Sequence, residues 1–362
     1  METLELDSRQ VRLGDGHVMP FDYLVLATGA RPRLPQVPGV AHQGIFTLRN
    51  VANAIRLKRY LIEHNATRAL VIGAGLIALE MCEAFRSLGL ETTLVYRKDL
   101  PMRRLGTDFG EKIRQELERN NVYFLPHTEI LGFDKVGKHQ IVTHTNNGEL
   151  PSDLVLVGMG VLPEVELAAA AGIKIGPTGA IAVDQHLQTN ISRIYAAGDC
   201  CECLHLVSRQ PVHMPLGDIA NKQGRIAGAH IGGQEVSFPG IVGSICCKVF
   251  DLEIASTGLS EEEAKRIGLQ ASSVIIQGFS KAHSFPGATR LWLRLVAEPS
   301  SGRLLGAQAI GGNGVVARIN ILAAALTAGL ELEQLAYMDL AYAPPFSGAW
   351  DPIHIAAQQL LK

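Results

Sequence analysis

An α/β fold is predicted by three features of the 362-residue chain. Short runs at 69–72 and 153–157, apolar but for Asp153 at the start of the second, have the pattern of buried parallel strands. Helical patterns alternate with them, with apolar residues at 77, 81 and 85, then at 109, 113 and 117, each set on one face. Glycine is abundant at 37 residues, as tight turns between strands and helices require.

In order, Leu4, Leu6, Val11 and Leu13 alternate and Gly14-Asp15-Gly16 turns the chain, which predicts a hairpin. A buried strand over 21–27 ends at Thr28-Gly29, followed by Ala30-Arg31 and an extended linker set by Pro32, Pro35 and Pro38. Residues 51–63 read as an amphipathic helix. The strand 69–72 runs straight into Gly73-Ala74-Gly75, with Ala78 completing a G-x-G-x-x-A fingerprint. Gly73 makes the tight turn, Gly75 lets the backbone approach a pyrophosphate, and Ala78 permits close helix–strand packing. Leu76 and Ile77 open a helix to about Leu88, whose free N–H groups and positive dipole end hold phosphates. Gly89 stops it and 92–96 is the next strand, so this is a nucleotide-binding Rossmann unit. NAD sites usually carry Asp or Glu at the end of that strand; Tyr96 stands there instead, followed by Arg97, Lys98, Arg103 and Arg104. Cationic side chains pair with a 2′-phosphate, so the pattern favours NADP over NAD.

A helix is expected within 102–121 and strands over 125–134 and 140–145, with Asn146-Asn147-Gly148 as a turn. The strand 153–157 ends in Gly158-Met159-Gly160-Val161-Leu162-Pro163. Segments 179–184 and 194–199 form a recognisable pair, with Asp199 at the carboxyl end of a strand, where open α/β sheets bind ligands. His213-Met214-Pro215-Leu216-Gly217-Asp218 starts a helix through His230. From about residue 236 an α+β unit follows: strands at 254–258 and 273–277, a helix capped by Ser260, a hairpin of 291–297 and 304–310, and a long apolar helix over 319–328.

A net charge of −2 and a pI near 6.6 argue against nucleic-acid binding. No run of 18 apolar residues predicts a membrane span, and the polar start METLELDSRQ is unlike a signal peptide. The six cysteines include adjacent pairs at 200–201 and 246–247, unlike a secreted disulfide framework, so a cytoplasmic protein is expected. Cys200 and Cys203 form a CxxC, yet at a packed strand end they read as small apolar residues, and no metal site is expected.

The string FDYLVLATGARP at 21–32 closely resembles the flavin-binding domain of two-dinucleotide-binding flavoprotein reductases. AAGD at 196–199 resembles that family's second flavin signature. YAPPFSGAWDP at 342–352 resembles the dimerisation domain of the coenzyme A-disulfide reductase and NADH oxidase group of pyridine nucleotide-disulfide oxidoreductases. The resemblance implies Rossmann-like FAD and NAD(P) domains plus an α+β dimerisation domain. Its segments are 1–47 and 164–234 for FAD, 48–163 for NAD(P) and 235–362 for a homodimer contact. It places Thr28, Gly29, Ala30, Arg31, Gly198 and Asp199 at FAD, with the Asp199 carboxylate on a ribityl hydroxyl. Pro215, Leu216 and Gly217 fall at the flavin pyrimidine edge, Gly160 at the nicotinamide and Glu80 near its ribose. Tyr342 is the implied catalytic residue. The implied activity passes hydride from NAD(P)H to flavin and on to a disulfide, a persulfide or oxygen. Two other readings are a reductase serving a protein carrier or nitrite reductase, and a non-catalytic nucleotide-binding dimer. Relatives are expected to carry roughly another 80 to 100 residues, with a first GxGxxG and a redox cysteine, ahead of the stretch matching Met1, so a shortened copy is expected.

Overall fold

The computed structural model describes residues 2–137 and 140–362. Contacts divide the chain into two units, 1–31 with 161–243 and 32–160 with 244–362.

The larger unit holds a five-stranded parallel sheet in the order Ile45–Phe46, Leu154–Val157, Arg68–Ile72, Glu91–Val95, Val122–Leu125. Its central strands are apolar on both faces because both are covered. Ala69, Val71, Leu94, Leu154 and Leu156 meet Leu79, Cys82 and Phe85 of the helix Leu76–Ser87 and Phe109, Ile113 and Leu117 of the helix Thr107–Arg119. Leu70, Ile72, Val95, Val155 and Val157 face the other way, against Phe133 and Ile141 of an antiparallel sheet of Ile130–Val136, Gln140–Thr145 and Gly148–Ser152. The helix Val51–Glu63 starts at a capping box of Asn50 and Asn53.

The single strand expected over 125–134 is two strands in two sheets. Val122–Leu125 completes the parallel sheet; the chain then turns at Pro126-His127, with His127 at φ 51°, and Ile130–Val136 joins the antiparallel one. The apolar pattern runs through the turn and hides it.

In the same unit, 244–362 forms an antiparallel sheet in the order Ile245–Val249, Leu252–Gly258, Leu304–Gly311, Arg290–Ala297, Ser272–Phe279. The helices Val315–Ala328 and Pro352–Leu360 pack on it. Arg294 joins this sheet to the parallel half: it donates to Leu105 O (2.7 Å) and Gln308 Oε1 (2.6 Å) and pairs with Asp108 (2.9 Å). Ser260 caps Glu261–Arg266 with Glu263 as its reciprocal partner. The strand Ile245–Val249 has no strong sequence pattern, whereas the helix Pro352–Leu360 starts at an Asp351 N-cap with Pro352 at its first position.

The smaller unit opens with Thr3–Glu5, Gln10–Arg12 and Val18–Pro20 in one antiparallel sheet. The expected single hairpin is thus two consecutive ones, the first closed by Arg9 at φ 51°. Leu24–Leu26 pairs in parallel with Ile194–Ala196, and the helix Gly217–Ile231 packs Ala227 into their core with Cys200 and Cys201. Segment 179–184 contributes isolated bridges at Ile181 rather than a strand. Among the described residues no helix is long and apolar enough to cross a membrane.

Arg318 and Asp351 form a buried pair, with Arg318 at 4% and Asp351 at 6% exposure. Arg318 reaches both carboxylate oxygens (3.2 and 2.7 Å) and donates to Gly314 O (3.0 Å), while Asp351 accepts from Ile353 N and caps the last helix. Asp351→Asn keeps the cap but leaves a buried cation uncompensated, and is expected to cost about 3 kcal/mol in denaturant unfolding. Adding Arg318→Met is expected to recover most of that loss; no recovery would show that the charge is not the cause.

Candidate nucleotide cleft and flavin edge

Strands Arg68–Ile72 and Leu154–Val157 end in register, Ile72 opposite Val157. The chain leaves both ends at glycines. Gly73 has φ 108°, its N–H donates to Val95 O (3.0 Å), and a Cβ there would lie 2.3 Å from Gly158 O. A Cβ on Gly158 would lie 3.1 Å from the Ala78 methyl, so the helix rides close to the sheet through its small residue. Gly75 differs: a Cβ there would meet nothing within 4 Å. As N-cap of the helix Leu76–Ser87 it offers no side-chain bond, so the first helical N–H groups stay open to a ligand.

These turns floor a cleft of about 600 Å³. Gly73, Ala74 and Gly75 line it together with Tyr96, Arg97, Met159 and Gly160. Gly160 (φ 88°) faces open space, and Arg33 N donates to its carbonyl (2.9 Å). Of the residues expected at a nucleotide, Gly73, Gly75, Tyr96, Arg97 and Gly160 come together here. Leu76 and Ile77 occupy the first helical turn, and Lys98 is exposed on the following loop. Arg104 is not brought to the cleft: the 3₁₀ turn Arg103–Leu105 buries Leu105 and sends Arg104 to Glu263 (2.8 Å) and Gly258 O (3.1 Å). Partial desolvation and then the charge of Glu83 hold the Glu80 carboxyl above its ordinary value. Arg33, Thr128 and Glu129 also line the cleft and were missed, because they arrive from segments distant in sequence with no motif of their own.

In the smaller unit, Thr28-Gly29 and Gly198-Asp199 follow two paired parallel strands and so share one carboxyl edge. Gly198 N donates to the buried Gln223 Oε1 (2.8 Å), which fixes the helix Gly217–Ile231 against that turn, and His213 Nε2 donates to Asp199 O (2.8 Å). The helix N-cap, Leu216 after Pro215, gives no side-chain bond, and a Cβ on Gly217 would meet nothing. Two strand-end turns and an open helix N-terminus suit a ribityl chain and an anionic ring edge. Ala30 is buried, the Thr28 hydroxyl donates to Glu164 O (2.6 Å), and Arg31 is ion-paired with Glu164 (3.0 Å) and Glu166 (2.7 Å).

Cys200, Cys201 and Cys203 are buried; Cys200 Sγ donates to Leu26 O (3.3 Å), and burial pushes the Cys203 thiol up to about 12. Among the described residues no group of His, Cys, Asp and Glu could hold a metal. Tyr342 is 53% exposed in a segment that also exposes Phe346 and Trp350. That segment is tied down by Ala282 N donating to Pro344 O (3.1 Å) and by the buried Asp351.

A Gly-rich dinucleotide cleft, a flavin-type strand edge and an α+β unit in one chain define a two-dinucleotide-binding oxidoreductase. Residues 2–230 match the family described as pyridine nucleotide-disulphide oxidoreductase, and residues 244–352 match its dimerisation domain. The chain belongs to this family, whose cofactors are FAD and NAD(P)H. It is 37% identical to an "NAD(P)H sulfur oxidoreductase (CoA-dependent)" of Pyrococcus furiosus, over 99% of this chain and 81% of that protein. An "NADH oxidase" of Methanocaldococcus jannaschii is 32% identical over the same shares. A solved structure described as an NAD-dependent persulfide reductase from A. fulgidus superposes with a TM-score of 0.94 at 38% identity, covering 99% of this chain and 66% of that one. The resemblance read from the sequence is borne out.

Gly73→Ala is expected to cost about 2 kcal/mol or more in thermal or denaturant unfolding, since it adds both a clash and a strained φ. Gly75→Ala should stay within about 1 kcal/mol of wild-type stability. Its methyl projects into the cleft, so NADPH binding by calorimetry should weaken about tenfold, roughly 1.4 kcal/mol. Unchanged NADPH affinity would remove Gly75 from the site.

Proposed function

We propose that the chain is an FAD-dependent NAD(P)H oxidoreductase of the cytoplasm. It acts as a homodimer and delivers electrons to a disulfide or persulfide, in the first place one built on coenzyme A. The observation that carries this is the cleft itself: an uncapped helix N-terminus behind a glycine that faces open space, with a second helix N-terminus at the strand edge of the other unit. The sulfur acceptor is supported by relatives named for sulfur and persulfide reduction. Oxygen is the second reading, supported by the relative named NADH oxidase.

In this proposal the N–H groups of Leu76 and Ile77 hold the pyrophosphate, and Tyr96 and Arg97, with Lys98 beyond them, hold the adenosine side. Glu80 lies near the nicotinamide ribose and Gly160 leaves room for the nicotinamide ring. Thr28, Gly29, Ala30, Arg31, Gly198 and Asp199 form the FAD edge, where Asp199 accepts from a ribityl hydroxyl. The helix N-terminus after Pro215, at Leu216 and Gly217, stabilises negative charge on the pyrimidine edge. FAD, when bound, supplies the two-electron acceptor for hydride. Tyr342 positions or donates a proton at the acceptor sulfur, and the segment that exposes Phe346 and Trp350 supports the dimer. The four-segment division at residues 47, 163 and 234 stands as the proposed domain plan.

Purified protein supplied with FAD should oxidise NADPH faster with coenzyme A disulfide or persulfide than with oxygen alone, followed by loss of nicotinamide absorbance. Equal rates without a sulfur acceptor would favour the oxidase reading. Light scattering at micromolar concentration should give a dimer; a monomer contradicts it. Arg97→Glu should turn an NADPH preference into an NADH preference, read as the ratio of dissociation constants. An unchanged ratio removes Arg97 from the adenosine subsite.

A further inference from the structure

The strand end at Tyr96 brings no carboxylate to the adenosine side of the cleft, but another element does. Glu129 lines the cleft with Tyr96, Arg97 and Thr128, arriving just ahead of the strand Ile130–Val136. Its backbone is clamped on both sides. Thr128 N donates to Tyr96 O (3.0 Å), which fixes the neighbouring residue directly to the strand end. Thr128 is 3% exposed; its hydroxyl donates to Pro126 O (3.0 Å) and accepts from Asn147 Nδ2 (3.1 Å). Glu129 N donates to Asn146 Oδ1 (2.8 Å), and Asn146 N returns a bond to Glu129 O (3.2 Å). The residue is therefore held in place by bonds that do not use its carboxylate. Among the described residues neither Glu129 nor Arg97 has an ion-pair partner, so opposite charges line the cleft and both are available to a ligand.

We infer that Glu129 opposes Arg97 in nucleotide selection, so that the cleft accepts NADH as well as NADPH. This rests on the nucleotide-cleft reading above. A guanidinium pairs with a 2′-phosphate, whereas a carboxylate repels it and accepts a hydrogen bond from a free ribose 2′-hydroxyl. The two side chains thus favour different nucleotides, and the selectivity of the cleft is their difference. The sequence pattern of a missing acid followed by bases shows only the Arg97 half of this balance.

Glu129→Gln keeps the size of the side chain and removes the charge. Titration calorimetry at low salt should show NADPH binding about fivefold tighter, the scale of one charge–charge interaction of about 1 kcal/mol at a wet surface. NADH binding should be unchanged or weaker. The gain should shrink toward 1 M salt, where screening acts within about 3 Å. Glu149→Gln removes an equal charge from an exposed position outside the cleft and should leave the NADPH to NADH ratio unchanged. A ratio unaltered by Glu129→Gln, or altered equally by Glu149→Gln, overturns the inference while leaving the cleft intact. If wild-type protein binds neither nucleotide, the cleft reading fails and this inference with it.

Discussion

Two parallel strands ending side by side leave almost no room for the chain that departs from them, and the larger unit is built around that shortage of space. At Gly73 a methyl group would meet the Gly158 carbonyl at 2.3 Å, and Gly158 in turn faces Ala78. Because these three neighbouring residues are small, the helix Leu76–Ser87 lies close to the sheet and buries Leu79, Cys82 and Phe85 behind it. The same closeness puts the open end of that helix at the mouth of the cleft. Packing and ligand geometry thus come from one constraint, and a larger side chain at Gly73 cannot relax without moving a strand end.

The segment 244–362 adds buried charge to close backbone approaches of its own, as at Gly306, where a Cβ would lie 2.1 Å from Leu259 O. Arg294 and Arg318 both leave water, and each is surrounded by acceptors: Asp108, Gln308 and Leu105 O for one, Asp351 and Gly314 O for the other. Desolvation lowers the Arg294 pKa, which marks how dry its surroundings are. Burial of this kind adds little net stability against apolar substitutes, but it fixes geometry, since a shifted segment would leave a bare charge. Asp351 sits at the end of the exposed segment that carries Tyr342, so the pair fixes where that segment terminates.

Much of this was legible in the sequence because local chemistry and global structure agree at the motif. Gly73, Gly75 and Ala78 have the spacing that a strand–turn–helix requires, and Ser260 with Glu263 is a cap whose partners are three residues apart. What was not legible depends on distant pairing. A continuous apolar pattern concealed the change of sheet at His127. The fate of Arg104 was decided by Glu263, far along the chain, and Glu129 reaches the cleft only because Thr128 bonds the far end of another strand. Charge pattern alone could not tell the arginine that faces the cleft from the one that turns away.

The central claim is that the amides opening the helix Leu76–Ser87 bind the pyrophosphate of a dinucleotide. Amide hydrogen exchange with and without NADPH tests it directly, because those first N–H groups have no partner within the helix. Slowed exchange is expected at residues 74–79, with a second patch at 158–160 and 96–97, and nowhere else. Protection elsewhere with none at 74–79, under conditions where NADPH is bound, would contradict it.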